Sequence, residues 1–318
     1  METETLPPDD LGIARAARIL SGGGLVAVPT ETVYGLAADA RDDHAVARIF
    51  AAKNRPRFNP LIVHLPDVEA ARRYARFPEA AERLAAAFWP GPLTLVLPLR
   101  ADAGLSPLVT AGLTSVAIRV PAHPLAVAVL RAFGGPLAAP SANPSGRVSP
   151  TRATHVLEGL AGRIEAVLDG GACPVGVEST IVGLTGTPVL LRPGGLPAEA
   201  IEACLGAPLP TGNGDAAQPS APGQLASHYA PEAPVRLGVT QPTADELWLG
   251  FGPDCAGAAL NLSPAGDLVE AAANLFHAMR EIDRLARNGK RIAVAPIPQT
   301  GLGRAINDRL RRAAAPRP

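Results

Sequence analysis

Residues 25–36 read Leu25-Val26-Ala27-Val28-Pro29-Thr30-Glu31-Thr32-Val33-Tyr34-Gly35-Leu36. A short apolar run such as Leu25 to Val28, set between glycines and a proline, reads as a buried strand. A polar turn starts directly after it, and Pro29 to Asp39 is expected to be a loop. Upstream, Leu11 to Leu20 supplies Leu11, Ile13, Ala16, Ala17 and Leu20 as a helical apolar stripe, which Gly22-Gly23-Gly24 ends. Downstream, Asp42 or Asp43 can cap a helix whose Val46, Ile49 and Phe50 fall at i, i+3 and i+4, with Arg55-Pro56 as its stop. Leu61 to Leu65 is a second strand. Further strands are expected at Leu93 to Leu97, Val116 to Val120, Leu137 to Ala139, Ala166 to Leu168, Thr180 to Leu184 and Val189 to Leu191. Helices fill the gaps near Glu79 to Phe88, Pro124 to Phe133, Thr151 to Glu158 and Ala198 to Cys204. This alternation predicts an α/β layer architecture, and the closely spaced late strands predict a mixed sheet.

From Gly206 to Pro222 the chain turns to Gly, Pro, Ala, Ser and Asn, a linker composition that cannot bury enough surface to fold alone. The expected division is 10–205, a linker with a joint at 206–232, and a smaller α/β unit at 233–318. In that unit Val235 to Val239, Leu247 to Phe251, Ala258 to Leu262 and Ile292 to Ala295 read as strands. Asp267 to Asn288 reads as a long helix with Leu268, Ala272, Leu275, Met279 and Ile282 on one face, and a last helix runs from Ala305 to Arg312.

The 318 residues hold 29 Lys plus Arg against 29 Asp plus Glu, so any nucleic-acid face must come from clustering rather than excess. Cys173, Cys204 and Cys255 lie far apart, which suggests neither a disulfide framework nor a zinc cluster and fits a reducing cytoplasm. The acidic start at Glu2, Glu4, Asp9 and Asp10 does not read as a signal peptide, and no apolar run reaches the roughly 18 residues of a membrane span.

No Gly-x-x-x-x-Gly-Lys-Ser/Thr loop occurs, no zincin histidine spacing, and no Gly-x-Ser-x-Gly elbow. What remains is a set of polar residues at strand ends, where α/β proteins place ligands. Thr30, Glu31, Thr32 and Tyr34 follow the first strand; Arg119 sits in another; Ser141 and Asn143 follow a third; Ser179 opens a fourth and Arg192 closes a fifth. Strand ends always meet polar turns, so none of these identifies a site alone. Lys53, Arg55 and Arg57 place three cations within five residues, which suits a helix carboxyl terminus and equally a polyphosphate. His64 interrupts Leu61-Ile62-Val63-His64-Leu65 and, if buried, requires a partner.

Taken together, these segments resemble the YrdC-type family of L-threonylcarbamoyl-adenylate synthases in its two-domain form. The segments that carry the resemblance are Pro29 to Leu36, Lys53-Asn54-Arg55-Pro56 with Asn59-Pro60-Leu61, Trp89 to Thr94, Ile118 to Pro121, Pro140 to Asn143, Glu178-Ser179-Thr180 and Leu191 to Gly194. Pro222-Gly223 and Ser227 to Pro231 resemble the joint before a smaller, Rossmann-like carboxy-terminal domain.

The resemblance implies that L-threonine, bicarbonate and ATP, accompanied by magnesium, give threonylcarbamoyl-adenylate and pyrophosphate. It further implies transfer of the threonylcarbamoyl group to tRNA by separate partner proteins, in the cytoplasm and without a membrane. It places Thr32, His64, Arg119, Ala139 and Ser179 around threonine. Lys53, Arg55, Asn59, Ser115, Ser141, Asn143, Ser149, Arg192 and Tyr229 fall around ATP, with Lys53, Arg55, Ser141 and Asn143 as the catalytic set. No resident metal site is implied. Gln224-Leu225-Ala226-Ser227 departs from the family's Met-Lys-Tyr-Arg stretch. A flexible tether before His228-Tyr229 is expected to act as a lid, such that Tyr229→Ala would leave folding intact. Two other readings compete. One is a carbamoyl-adenylate enzyme of hydrogenase maturation. The other is a tRNA- or double-stranded-RNA-binding module using Arg72, Arg73, Arg76, Arg309, Arg311 and Arg312.

Overall fold

The computed structural model describes residues 2–212, 221, 228–286 and 289–316. Most of the linker, the Gln224 to Ser227 stretch, Pro222-Gly223 and the carboxyl end of the expected Asp267 to Asn288 helix lie outside them.

Strands β1 (Glu4–Leu6), β2 (Val26–Val28), β3 (Gly35–Asp39), β4 (Ile62–His64) and β5 (Leu93–Pro98) come first. They are followed by β6 (Ser115–Arg119), β7 (Leu137–Ala138), β8 (Ala166–Leu168), β9 (Thr180–Gly183) and β10 (Val189–Arg192). Among the described residues these ten form one sheet in the order β1-β8-β2-β3-β7-β4-β6-β5-β9-β10. The sheet is mixed: β4 runs parallel to β6 and β5 to β9, while β2 and β3 are antiparallel. Its apolar faces are covered by helices, the arrangement that a sheet buried on both sides requires.

Three local expectations change. Gly35 to Asp39, expected as loop, is a strand pairing Val26 with Ala37. Gly-Leu-Ala-Ala-Asp has little β propensity of its own, and its conformation is set by hydrogen bonds to β2 and β7 on either side. The acidic amino terminus contributes β1, parallel to β8, so the larger sheet begins at Glu4, ahead of residue 10. In helix α1 (Asp10–Ser21), Leu11 is 78% exposed while Ala16, Ala17 and Leu20 are buried. At about 100° per residue Leu11 lies opposite Leu20, so it belongs to the outer face.

Helix α2 (Asp43–Lys53) begins where the Asp42 carboxylate accepts from the His44 and Ala45 amides, and it ends at Asn54 with φ of 50°. Val46, Ile49 and Phe50 are buried as the spacing predicts, and that face carries Lys53 inward with them. Beyond the linker, β11 (Val235–Arg236), β12 (Glu246–Gly250), β13 (Leu260–Asn261) and β14 (Arg291–Val294) form a parallel sheet ordered β11-β14-β12-β13 among the described residues. The larger lobe continues through helices α3 (Val68–Arg72), α4 (Glu79–Phe88), α5 (Pro107–Thr110), α6 (Pro124–Phe133), α7 (Ala153–Leu160) and α8 (Ala198–Leu205), and in the smaller one α9 (Leu268–Leu285) and α10 (Leu302–Ala314) pack beside the sheet. Ala272, Leu275, Met279 and Ile282 are buried, whereas Leu268 is only partly so.

The smaller lobe docks tightly on the larger. Gly176, at φ 75°, would place a side-chain carbon 2.3 Å from the Ala272 carbonyl oxygen, so α9 reaches this distance only against glycine. Gly176→Ala is expected to destabilise the chain by about 2–4 kcal/mol through the clash and the left-handed backbone, read as a lowered urea midpoint. Among the described residues no helix is long and apolar enough to cross a membrane.

Candidate active site

A small cavity opens where the carboxyl ends of β4 and β6 meet the turn after β2, the loop after β7 and the entry to β9. Parallel pairing sets His64 beside Arg119 and antiparallel pairing sets Thr94 on the other side of Arg119. The Leu191 to Gly194 turn then lies against Glu178 to Thr180 so closely that a side-chain carbon on Gly194 would fall 2.3 Å from the Glu178 carbonyl oxygen. Of the expected site residues, Arg55, His64, Arg119, Ala139, Ser141, Ser179, Arg192 and Tyr229 line this cavity, together with Thr30, Glu178 and His228.

Arg119 is 4% exposed and held from three directions. Its Nη2 donates to Glu31 Oε1 at 2.6 Å, Nη1 to Thr32 Oγ1 at 2.8 Å, and Nε to the Gly91 carbonyl at 3.3 Å. Thr32 therefore orients Arg119 and does not itself line the cavity. Thr30 Oγ1 donates to the Val33 carbonyl, closing the turn that carries Glu31 and Thr32. Ser179 Oγ meets Thr94 Oγ1 at 2.7 Å, and Arg192 Nη2 donates to the Ser179 carbonyl at 2.9 Å.

Lys53 is 1% exposed, with its ammonium donating to the carbonyls of Ser141, at 2.5 Å, and Asn143. Burial first, and Arg55 second, depress its pKa well below the ordinary lysine value. Lys53 thus holds the Ser141 to Asn143 loop against α2 and does not line the cavity. Arg55 donates to the Asn59 and Pro60 carbonyls, and burial pushes it down to about 10. Ser149 lies behind the cavity wall, donating to Glu178 Oε1 at 2.5 Å. Ser115 is not brought in: it starts the strand that Arg119 ends, about 13 Å away along β6.

Several polar atoms around this space are buried with no partner among the described residues: Glu31 Oε2, Asn59 Oδ1, His64 Nδ1, Asn143 Oδ1 and His228 Nδ1. The partner expected for His64 is thus absent from its Nδ1. Buried polar groups are nearly always paired, and each orphan costs about 1–3 kcal/mol, so their concentration here marks a site shaped for a polar ligand.

Burial, with Arg119 second for His64, drives the His64 and His228 pKa values down to about 3. Both rings are neutral at pH 7. Because the unfolded chain takes up these protons near pH 6.5 and the folded chain does not, stability is full above that value and falls as pH drops toward 3. At pH 5 each histidine is expected to remove about 2 kcal/mol, seen as a falling melting temperature between pH 7 and pH 5; a flat profile there would contradict the burial of both rings.

Two expectations are corrected. Tyr229 is 2% exposed, adopts φ of 61°, stacks on Phe276 at 5.6 Å and lies under the Arg309 guanidinium. Tyr229→Ala is therefore expected to lower stability by about 3–5 kcal/mol as well as activity, checked by thermal unfolding beside pyrophosphate release. Arg309, read as a surface phosphate contact, is 1% exposed and donates to Glu178 Oε2 at 2.8 Å. Nothing in the spacing of Arg309 on its helix signals a partner 131 positions upstream. Glu31 and His228 fall within the family-like segments without assigned contacts, and the tertiary structure alone reveals the Glu31–Arg119 pair and the place of His228 in the cavity lining.

The fold and site define a mixed-sheet α/β protein that gathers the buried guanidinium groups of Arg55, Arg119 and Arg192 around one cavity. Residues 18–194 match the Sua5_yciO_yrdC family, described as telomere recombination, and residues 196–315 match the threonylcarbamoyl-AMP synthase C-terminal domain. The Bacillus subtilis threonylcarbamoyl-AMP synthase is 43% identical over 99% of this chain and 96% of its own length. That of Pyrococcus abyssi is 45% identical, covering 94% of this chain and 93% of its own. The crystal structure of P. abyssi Sua5 complexed with L-threonine superposes with a TM-score of 0.88 at 40% identity, over 99% of this chain and 98% of that one. The chain belongs to the threonylcarbamoyl-AMP synthase family. Full-length relatives of that name favour it over the hydrogenase-maturation and RNA-binding readings.

Proposed function

We propose that the chain joins L-threonine, bicarbonate and ATP into L-threonylcarbamoyl-AMP, releasing pyrophosphate. The observation that carries this reading is the Arg119 fork. A guanidinium has five N–H groups, and three of Arg119's five nitrogen-bound hydrogens are accounted for by Gly91, Thr32 and Glu31. Two N–H groups are left for a substrate carboxylate, in the cavity that Arg55 and Arg192 also line. P. abyssi Sua5 crystallised as a complex with L-threonine, which supports an amino acid as the owner of that carboxylate.

With threonine's carboxylate on Arg119, its amine faces the neutral His64, whose Nδ1 accepts a hydrogen bond from the ammonium or hydroxyl. The ammonium gives up a proton to solvent, the free amine adds to the carbon of carbon dioxide, or of bicarbonate with loss of water, and the resulting carbamate oxygen attacks the α-phosphorus of ATP, breaking its bond to the bridging oxygen that leaves with pyrophosphate. Arg55 and Arg192 stabilise the charge on the departing pyrophosphate, while the Lys53-held loop presents Ser141 and Asn143 to the nucleotide. Magnesium enters as the counter-ion of ATP. No protein nucleophile is used, in keeping with a site of positioning groups. The labile product goes to threonylcarbamoyl-transfer proteins acting on tRNA, in the cytoplasm, and this chain's own contact with tRNA is weak. The lobe of residues 4–205 carries the chemistry, 206–232 forms the joint, and 233–318 supports it.

The test is pyrophosphate release from ATP. Release that depends on both threonine and bicarbonate is expected; release indifferent to threonine would reject the reading.

A further inference from the structure

Glu178 is an odd residue to find in a cavity meant for a polyphosphate, since it lines the space with a negative charge. Both of its oxygens are engaged. Oε1 accepts from Ser149 Oγ at 2.5 Å, and Oε2 accepts from Arg309 Nε at 2.8 Å. Arg309 belongs to α10 of the smaller lobe, yet its side chain is 1% exposed. Its Nη1 donates to the Pro193 carbonyl at 2.8 Å and to Asp308 Oδ2 at 2.8 Å, and its guanidinium lies 5.3 Å from the centre of the Tyr229 ring. One arginine thus ties together the entry to β9, the turn after β10 and the joint, three of the elements that wall the cavity.

Arg192 is the neighbouring cation. It lines the same cavity and donates to the carbonyl of Ser179, the residue next to Glu178, at 2.9 Å; Arg309 first and Arg192 second hold Glu178 down to about 2, against the penalty of burial. A buried carboxylate that loses one cation turns to the next, because an uncompensated charge in such a place costs several kcal/mol. Were Arg309 absent, Glu178 would neutralise Arg192, and the nucleotide would lose a phosphate-binding charge and meet a freed anion.

We propose that Arg309 is a positioning residue of the ATP site: from the smaller lobe it holds the Glu178 carboxylate so that Arg192 keeps its charge for the nucleotide's phosphates. This inference rests on the synthase reading and gives the carboxy-terminal lobe a part in nucleotide binding rather than in support alone.

The experiment compares the full chain with Arg309→Met, Glu178→Gln and the double variant, measuring threonine-dependent pyrophosphate release and thermal unfolding. Arg309→Met is expected to raise KM for ATP about tenfold or more, equivalent to about 1.4 kcal/mol, with KM for threonine changed less than about twofold. Adding Glu178→Gln removes the freed carboxylate, so the double variant recovers to within about threefold of Glu178→Gln alone. A role confined to fastening the lobes predicts lowered melting temperature, unchanged KM for ATP and no recovery in the double variant, and that result overturns the proposal. If Arg309→Met does not fold, Arg309→Lys decides, because it keeps the charge and loses the fork: KM for ATP raised about threefold supports the proposal, and an unchanged value rejects it. Should the wild-type chain show no threonine-dependent release, the synthase reading fails. Direct calorimetric titration of ATP into the same variants still reads the Arg309 effect in that case.

Discussion

Arg119→Met is expected to lower kcat/KM for threonine by about 10²–10³-fold, roughly 3–4 kcal/mol, while KM for ATP changes little. Two losses combine. The carboxylate of the amino acid loses its bidentate partner, and Glu31, bonded to Arg119 at 2.6 Å and 7% exposed, is left as a buried charge with no cation. The second loss also destabilises the fold, so the variant's melting temperature should fall even without substrate. Glu31→Gln separates the two: it removes the stranded charge but leaves the fork, and Arg119→Met/Glu31→Gln should regain stability without regaining threonine affinity. Threonine kinetics unaltered in Arg119→Met would remove the basis for placing the amino acid in this cavity.

Lys53→Met should abolish nearly all adenylate formation, by about 10²-fold or more, through a different route. The ammonium does not line the cavity; it clamps the carbonyls of Ser141 and Asn143 from behind. Methionine fills the same volume but leaves the Asn143 carbonyl without its donor, at about 1–3 kcal/mol, and the Ser141 carbonyl with the Asn143 amide at 3.0 Å in place of two donors, so the loop carrying Ser141 and Asn143 loses its anchor. The effect should therefore appear in kcat as well as in KM for ATP, together with reduced stability. Arginine should not rescue, because a side chain that is 1% exposed in a packed helix face has no room for a larger fork. A Lys53→Met chain with a normal kcat would show that the loop holds its position without the clamp.

Much of the fold is legible in the sequence. The apolar periods locate nearly every large element, because helix and strand repeats differ enough for Ala16, Ala17 and Leu20 or Val46, Ile49 and Phe50 to declare a buried helical face. They fail where pairing rather than composition makes the element. Gly35 to Asp39 is a strand because β2 and β7 flank it, and Glu4 to Leu6 is one because β8 offers a free edge. The family-like segments bring most of the cavity residues to notice, although not their parts in it. Lys53 reads in sequence as a cation for phosphate and stands in the fold as a clamp on two carbonyls. Ser115 shares a strand with Arg119 but sits at its other end.

The alternating α/β architecture, the linker composition and the polar strand ends are written in local pattern, because each depends on neighbours within one turn or one strand. The tertiary structure decided which charges meet. Glu31 with Arg119 and Glu178 with Arg309 are pairs 88 and 131 positions apart, and the register of one strand against another, or of one lobe against the other, sets their distance. Such contacts leave no periodic trace along the chain, since nothing in the spacing of an arginine on its own helix records the carboxylate that will be packed against it.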